Sequence, residues 1–228
     1  MMAEKIIGKP LRQPQLKEAD LQVITQQEEF LALLELAVYE ESSIENCLVK
    51  GLSCVELDCH GVTFRNVVFV NCRFSACRFE KASFRHSIFR NCGLSNCNFG
   101  DSYWDCCALE EIKGPGILWK ESSLHHLLLQ RCQLRYANFS RAILEMVQFQ
   151  QCNLQEFSLS SCKLKQCQWE ACDLSRADFF RTPLKNLDFS TCQIEGLLLS
   201  DDYNELQGLT VNSLQALELS KLLGLKVK

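Results

Sequence analysis

Residues 62–81 read VTFRN VVFVN CRFSA CRFEK, which places a phenylalanine at positions 64, 69, 74 and 79. The same five-residue phase runs from Ile44 to Leu199, and of its thirty-two positions only Gly114 is not apolar. A helix repeats every 3.6 residues and a strand every 2, so neither alone produces this period. The phase therefore predicts a solenoid built from short repeats.

A second register, two residues before the first, is occupied by small side chains. It includes Cys72, Cys77, Ala82, Cys92, Cys97, Ala137, Ala142, Cys152 and Cys172. One large and one small inward residue in every five describe a narrow interior in which each turn stacks on the next.

The resulting pentad, small-polar-large-polar-polar, is clearest at residues 137–141, 172–176 and 177–181. It resembles the pentapeptide-repeat family over roughly 155 of the 228 residues. The resemblance implies an all-β solenoid, a right-handed quadrilateral β-helix with four pentads in each coil and about eight coils in all.

Three segments follow from where the phase begins and ends. Residues 1–43 are predicted to form a loose arm, up to about residue 20, and a short helical cap with an apolar stripe at Phe30, Leu33, Leu34 and Ala37. Residues 44–203 form the β-helix. Residues 204–228 form a capping or dimerisation segment.

Fifteen cysteines invite a redox or metal interpretation, but twelve of them occupy the small register, where free cysteine packs as a small hydrophobe. The N-terminus lacks an apolar signal region, which favours a reducing cytoplasm over disulfides. The spacing C-x4-C differs from paired zinc ligands, so we expect no metal and no cofactor. One column, Cys72 to Cys192, is spaced by multiples of twenty, and we expect oxidative stress to cross-link it.

The C-terminal segment predicts a second helix. Asn212 or Ser213 can cap its start, Gln215 stands at capping-box spacing from Asn212, and Gly224 is a left-handed terminator. Two interpretations of its apolar residues stay open. They cover the last coil of a monomer, or they join two copies through Leu214, Leu217, Leu222 and Leu223.

The ending from Leu206 to Val227 and the stretch 135–140 are similar to the Qnr and MfpA quinolone-resistance branch of the family. That resemblance implies a homodimer that binds DNA gyrase or topoisomerase IV, a type II topoisomerase, as an acidic mimic of DNA. A mimic must present carboxylates where DNA presents phosphates. The candidate contacts are Glu145, Glu156, Glu170, Asp173, Asp178 and Asp188, although the sequence favours ordinary solvated charge over mimicry for much of this set.

The break at residues 114–116 allows two interpretations, a distorted turn whose void Trp104 and Trp119 fill, or an outward bulge that brings Pro115 to a partner. No nucleophile, phosphate loop or ligand pattern indicates an enzyme, and a formal charge of −4 argues against direct nucleic-acid binding. No apolar run is long enough for a membrane span. We expect a cytoplasmic protein-interaction module, either a topoisomerase-directed mimic or a scaffold for another protein partner.

Overall fold

Strands of this chain pair in parallel with residues twenty positions further along. The computed structural model describes residues 10–222, 224 and 225. Ser43 pairs with Thr63, and Phe64 pairs with Phe84. Because one turn of the chain takes twenty residues, each coil holds four pentads. The predicted solenoid is confirmed.

The elements follow one another along the axis. The chain enters through a 3-10 turn at Glu18–Asp20, strand β1 (Gln22–Ile24) and helix α1 (Gln27–Tyr39). The solenoid strands are β2 (Ser43–Glu45), β3 (Cys47–Lys50), β4 (Ser53–Val55), β5 (Thr63–Arg65), β6 (Val68–Val70), β7 (Arg73–Ser75), β8 (Ser83–Arg85), β9 (Ile88–Arg90), β10 (Tyr103–Glu110), β11 (Ser123–Gln130), β12 (Ile143–Gln150), β13 (Lys163–Lys165) and β14 (Gln168–Glu170). A 3-10 turn at Asn204–Leu206 and helix α2 (Ser213–Leu222) complete the chain.

The strand ladder is shorter than the repeat pattern suggests. Seven strands stack in the column that starts at β2, which gives about six turns between Ser43 and Lys165. The phase predicted about eight coils. The difference arises because the last coils pair through isolated bridges, such as Asp178 with Leu198, rather than through strands.

We number the four faces of a coil by the inward residues Ile44, Val49, Cys54 and Cys59, and residues twenty further along lie on the same face. The large inward side chains stack along each face. Phe64 and Phe84 lie 5.0 Å apart between ring centroids on face 1, and Phe79 and Phe99 lie 4.7 Å apart on face 4. Stacked aromatic rings of this kind add to the stability that their burial provides.

The small register confirms the predicted stacking of cysteines. All fifteen cysteines are buried and free. The backbone N–H of Cys72 donates to Sγ of Cys92 at 3.4 Å, and Sγ of Cys92 donates to the carbonyl of Phe69 at 3.5 Å. Burial raises the pKa of the Cys107 thiol to about 12. A hydrogen bond with the Cys97 thiol acts in the opposite direction and lowers the pKa of Cys77 to about 7, so the buried thiols do not share one reactivity. Cross-linking of the column stays a prediction.

From residue 46 to residue 186, each corner of the solenoid is a residue in the left-handed backbone region. These residues recur every five positions and include Asn66 with φ 54°, Asn71 with φ 55° and Met146 with φ 57°. The left-handed region favours glycine and asparagine and is unfavourable for a residue such as methionine. Corner geometry is therefore imposed by the stacking of coils and not by local preference alone.

Residues 10–21, which we call the arm, lie along the outside of face 2. Leu11, Leu16 and Leu21 pack there against an outward apolar column made of Leu48, Val68, Ile88, Ala108 and Leu128. At its start the arm donates the Arg12 backbone N–H to Nδ1 of His126 at 3.2 Å, and further along Glu18 pairs with Arg90 at 2.8 Å.

The arm was expected to be loose, and in residues 10–21 it is not. The physical reason is the composition of the outward column on face 2. That column is apolar up to Leu128 and becomes polar at Gln148 and Gln168, beyond the point where the arm begins. The arm thus covers apolar surface that the solenoid would otherwise expose to water.

Replacing Leu16 by Glu is expected to release the arm while leaving the solenoid folded, because a carboxylate cannot be buried against the apolar column without a partner. Limited proteolysis should then cleave within residues 10–21 faster than in the wild type. Gln15→Glu adds the same charge at an exposed neighbour and should cleave at the wild-type rate. Equal protection of Leu16→Glu would show that the arm does not depend on this contact.

Candidate functional site

The C-terminal helix begins with the capping box predicted from the sequence. The Gln215 backbone N–H donates to Oδ1 of Asn212 at 3.0 Å, and the Asn212 backbone N–H donates to Oε1 of Gln215 at 2.8 Å. The end is also as predicted: Gly224 has φ 71°, and the Leu225 N–H donates to the Ser220 carbonyl at 3.2 Å. Both ends of α2 are fixed by local hydrogen bonds.

Helix α2 lies over the last coil with one side open to solvent. Leu219 packs against the core, whereas Leu214 is 79% exposed and Leu217 is 41% exposed. Leu222 is half-buried, and Leu223 lies outside the described residues. The last coil therefore covers only part of the apolar surface, and Leu214 and Leu217 are the residues of the predicted dimer interface that face water.

Two polar residues whose burial the sequence did not indicate, Gln215 and Glu205, close this end of the solenoid. Nε2 of Gln215 donates to the carbonyls of Phe189 at 2.8 Å and Cys192 at 2.6 Å. The carboxylate of Glu205, only 3% exposed, accepts from the Arg181 N–H at 2.8 Å and from the Ser200 hydroxyl at 2.5 Å. Within the solenoid, backbone N–H and C=O groups are paired with those of the next coil. At this end of the described chain no further coil follows, and the side chains of Gln215 and Glu205 supply the hydrogen bonds instead.

The pKa of Glu205 reflects a balance of two effects. Burial acts to raise the pKa of its carboxyl, but hydrogen bonds from Ser200 and from backbone N–H groups, including that of Arg181, outweigh burial and lower the pKa below its ordinary value. A carboxyl whose folded pKa is depressed stabilises the fold above its unfolded pKa, and this stabilisation is lost as the pH falls through the folded value.

The seven predicted partner contacts do not all converge. Glu145 lies on face 1, Asp178 on face 4, Glu156 at the corner after face 3, and Pro115 on face 3 but in an earlier coil. The register brings Glu170 and Asp188 onto face 2 and Asp173 onto the adjoining face 3, all within the last two coils. Glu195 follows on face 3.

We call Glu170, Asp173, Asp188 and Glu195 the acidic edge. The sequence contains no lysine or arginine from residue 166 to 175 or from 186 to 206. None of the four carboxylates forms an ion pair with the part of the chain that the structure describes. Arg176, at the neighbouring corner, forms an ion pair with Glu156 instead, at 4.0 Å. The acidic edge is thus a small surface of uncompensated negative charge.

Aspartates on the solenoid also have a structural task. Oδ1 of Asp173 accepts the Ser175 N–H at 2.9 Å, and Oδ1 of Asp188 accepts the Ser190 N–H at 2.8 Å. Asn138 and Asn153 hold the same turn elsewhere with their amide oxygens. Asparagine can therefore replace these aspartates without loss of the turn.

Several other carboxylates form ion pairs between neighbouring coils. Residues twenty apart carry opposite charges at Asp58 with Arg78, at 3.0 Å, and at Glu111 with Arg131, at 2.9 Å. Glu145 belongs to this group, since a hydrogen bond from Lys165 lowers the pKa of its carboxyl. Exposed pairs of this kind contribute at most about 1 kcal/mol each.

The break at residues 114–116 does not leave the repeat register. The Gly114 N–H donates to the Gln133 carbonyl at 2.9 Å, and the Gly116 N–H donates to the Arg135 carbonyl at 2.9 Å. Leu134, Ile112 and Ile117 surround the missing side chain of Gly114. The ring centroids of Trp104 and Trp119 lie 6.0 Å apart. The turn does not bulge, and the atoms nearest the missing side chain belong to Leu134, Ile112 and Ile117 and to neither of the tryptophans expected to fill the void. Pro115 is exposed on its surface.

Across residues 10–222, 224 and 225, no group of three or more His, Cys, Asp or Glu side chains could hold a metal ion. His125 pairs with Glu145 at 3.5 Å, and His126 accepts from the arm. Neither helix in the described part of the chain combines the length and hydrophobicity that a membrane span needs.

Comparison with known proteins agrees with this architecture. A family model described as a pentapeptide repeat region matches residues 41–117 and 120–199. A trypsin-treated variant of QnrB1, a plasmid-mediated fluoroquinolone resistance protein, is 21% identical with a TM-score of 0.52, covering 79% of this chain and 89% of that chain. Rfr23, a pentapeptide repeat protein from the cyanobacterium Cyanothece 51142, is 9% identical with a TM-score of 0.28, covering 80% and 99%. No curated protein matches the chain.

Replacing Glu205 by Gln is expected to destabilise the protein at pH 7 by about 1–3 kcal/mol, because a charged acceptor of several hydrogen bonds is lost. Urea unfolding should show that the difference from the wild type shrinks as the pH falls below 4.5, because the Glu205 carboxyl of the unfolded wild type is protonated there before that of the folded protein. Glu195→Gln, at an exposed position, is the control. A difference that stays constant with pH would refute the role of the charge.

Proposed function

The chain belongs to the pentapeptide-repeat family, and from that premise we propose that it is a non-enzymatic protein-interaction module whose binding surface includes the acidic edge. The observation that carries the proposal is the uncompensated charge of Glu170, Asp173, Asp188 and Glu195, whereas carboxylates such as Glu111 and Glu145 are paired across coils. Unpaired charge on a rigid ladder favours a partner of the opposite charge.

We further propose that the partner is a type II topoisomerase, DNA gyrase or topoisomerase IV, and that the acidic edge acts as a mimic of DNA. The surface of such an enzyme that meets phosphates carries lysine and arginine, which carboxylates on a rod can engage. The similarity of residues 206–227 to the Qnr and MfpA ending supports this choice. The shared fold with QnrB1, whose name associates it with fluoroquinolone resistance, is consistent with it.

The test is supercoiling by purified gyrase with this protein titrated in, with and without a fluoroquinolone. Inhibition or drug protection at low micromolar protein is the expected result. A variant with Glu170→Gln, Asp173→Asn and Asp188→Asn should lose at least tenfold in potency while its thermal unfolding is unchanged, because Asn keeps the turns and only charge is removed.

The matched control removes three carboxylates from the ion-pair ladder, Glu45→Gln, Glu111→Gln and Glu121→Gln. The net charge of this control changes by the same amount as that of the acidic-edge variant. If only net charge mattered, both variants would lose the same potency against gyrase. If the wild type has no effect on gyrase or on topoisomerase IV, the topoisomerase proposal is wrong. The second candidate, a scaffold for another protein partner, would then take its place.

The same interpretation includes a homodimer formed through α2. Leu214 and Leu217 lie on the solvent side of the helix, and Leu225 beyond its end is 57% exposed. A two-fold interface uses the same surface on both copies, and an end helix of a solenoid allows two rods to join end to end. Burial of these leucines in the dimer interface is the favourable contribution to the free energy of association.

Replacing both Leu214 and Leu217 by Glu is expected to give a monomer with an intact solenoid, since charges would have to be buried in the dimer. Sedimentation equilibrium measures the mass, and circular dichroism checks the fold. Ile143→Glu with Leu198→Glu changes two leucine-sized exposed residues on the solenoid and should leave the mass unchanged. A wild type that sediments as a monomer would contradict the dimer directly.

A further inference from the structure

A shallow groove on face 3 of the early coils has the opposite chemistry to the acidic edge. It has a volume of about 480 Å³ and is lined by Asn71, Arg73, Ser75, Asn91, Gly93, Ser95 and Lys113, with Phe74 and Cys92 beneath. No carboxylate lines it, although the whole chain has a formal charge of −4. The groove is therefore a local region of positive charge on an acidic protein.

Its two cations are available to a ligand. Within the described residues, neither Arg73 nor Lys113 forms an ion pair, so neither charge is neutralised by a carboxylate of this chain. Arg73, Gly93 and Lys113 are stacked in one column by bridges between coils. At a strand spacing of about 4.8 Å, the two cationic residues stand about 10 Å apart along the axis with Gly93 between them.

Gly93 creates the gap. The outward position between the two inward residues of a pentad recurs from residue 43 to residue 198, and Gly93 is its only glycine. A Cβ there would meet Arg73 Cγ at 3.8 Å and nothing closer, so no steric or backbone requirement explains the glycine. A glycine inside a strand column weakens the sheet and often marks the close approach of a ligand.

The remaining lining groups are hydrogen-bond donors with free capacity. The hydroxyls of Ser75 and Ser95 have no side-chain partner among the described residues, and Nδ2 of Asn91 donates to Oδ1 of Asn71 at 2.7 Å, which leaves the Asn71 amide hydrogens free. Arginine, lysine, two hydroxyls and an amide surround the gap on several sides. This set suits a tetrahedral oxyanion better than a planar or apolar ligand.

We propose that the groove formed by Arg73, Gly93 and Lys113 binds a phosphate group. The arginine binds two oxygens through its planar fork, the lysine supplies a second positive charge from the other side, and the serine hydroxyls donate to the remaining oxygens. The site is independent of the acidic edge, because it lies on the early coils and carries the opposite charge.

The test measures binding of inorganic phosphate to the full chain by isothermal titration calorimetry, at constant ionic strength. The wild type should bind saturably. Gly93→Val, whose side chain fills the gap without strain, and the double variant Arg73→Gln with Lys113→Gln should each lose at least tenfold in affinity. Lys120→Gln, an exposed lysine on face 4, is the control and should stay within twofold of the wild type.

Thermal unfolding checks that each variant is folded, and Gly93→Val is expected to be at least as stable as the wild type because valine favours strands. Titration of a phosphoserine peptide distinguishes the source of the phosphate. Affinity at least tenfold above that of inorganic phosphate would identify a phosphorylated protein, and equal affinity would identify a small phosphate ligand. Absence of saturable binding by the wild type, or undiminished binding by Gly93→Val, would overturn the proposal.

Discussion

The left-handed residue at every fifth position is the constraint on which the rest of this structure depends. It turns the chain through a corner after each short face, and four such corners return it to the starting direction after twenty residues. Each residue then lies one strand spacing from those twenty positions before and after it. Once this is fixed, the core, the surface charges and the ends all follow as columns of stacked side chains.

The columns explain how a chain of modest net charge acquires two distinct surfaces. Several charges are matched to an opposite charge one coil away, as in Asp58 with Arg78. Such pairs contribute little to stability but favour the correct register. Other charges have no such partner, and two sets of them are close together, with Arg73 and Lys113 on the early coils and the acidic edge on the last two. Both proposed binding surfaces therefore consist of charged residues that have no ion-pair partner in a neighbouring coil.

The sequence predicted some parts of the candidate site and not others, for a physical reason. The capping box of Asn212 and Gln215 was predictable because both hydrogen bonds join residues three apart. Glu205 was not, since its carboxylate acquires partners only when the chain brings Arg181 and Ser200 beside it. The same holds for the contacts of Gln215 with Phe189 and Cys192, which close the last coil.

By itself, the sequence determined the five-residue period, the buried cysteines and a helix at each end, because these depend on patterns that repeat locally or at fixed spacing, whereas the coil of four pentads came from the family resemblance. The tertiary structure alone decided that residues 10–21 lie on face 2, that about six turns carry true strands, and that Gly93 opens a groove between two cations. These features depend on contacts between distant segments or on side-chain packing across coils, and no local pattern encodes them.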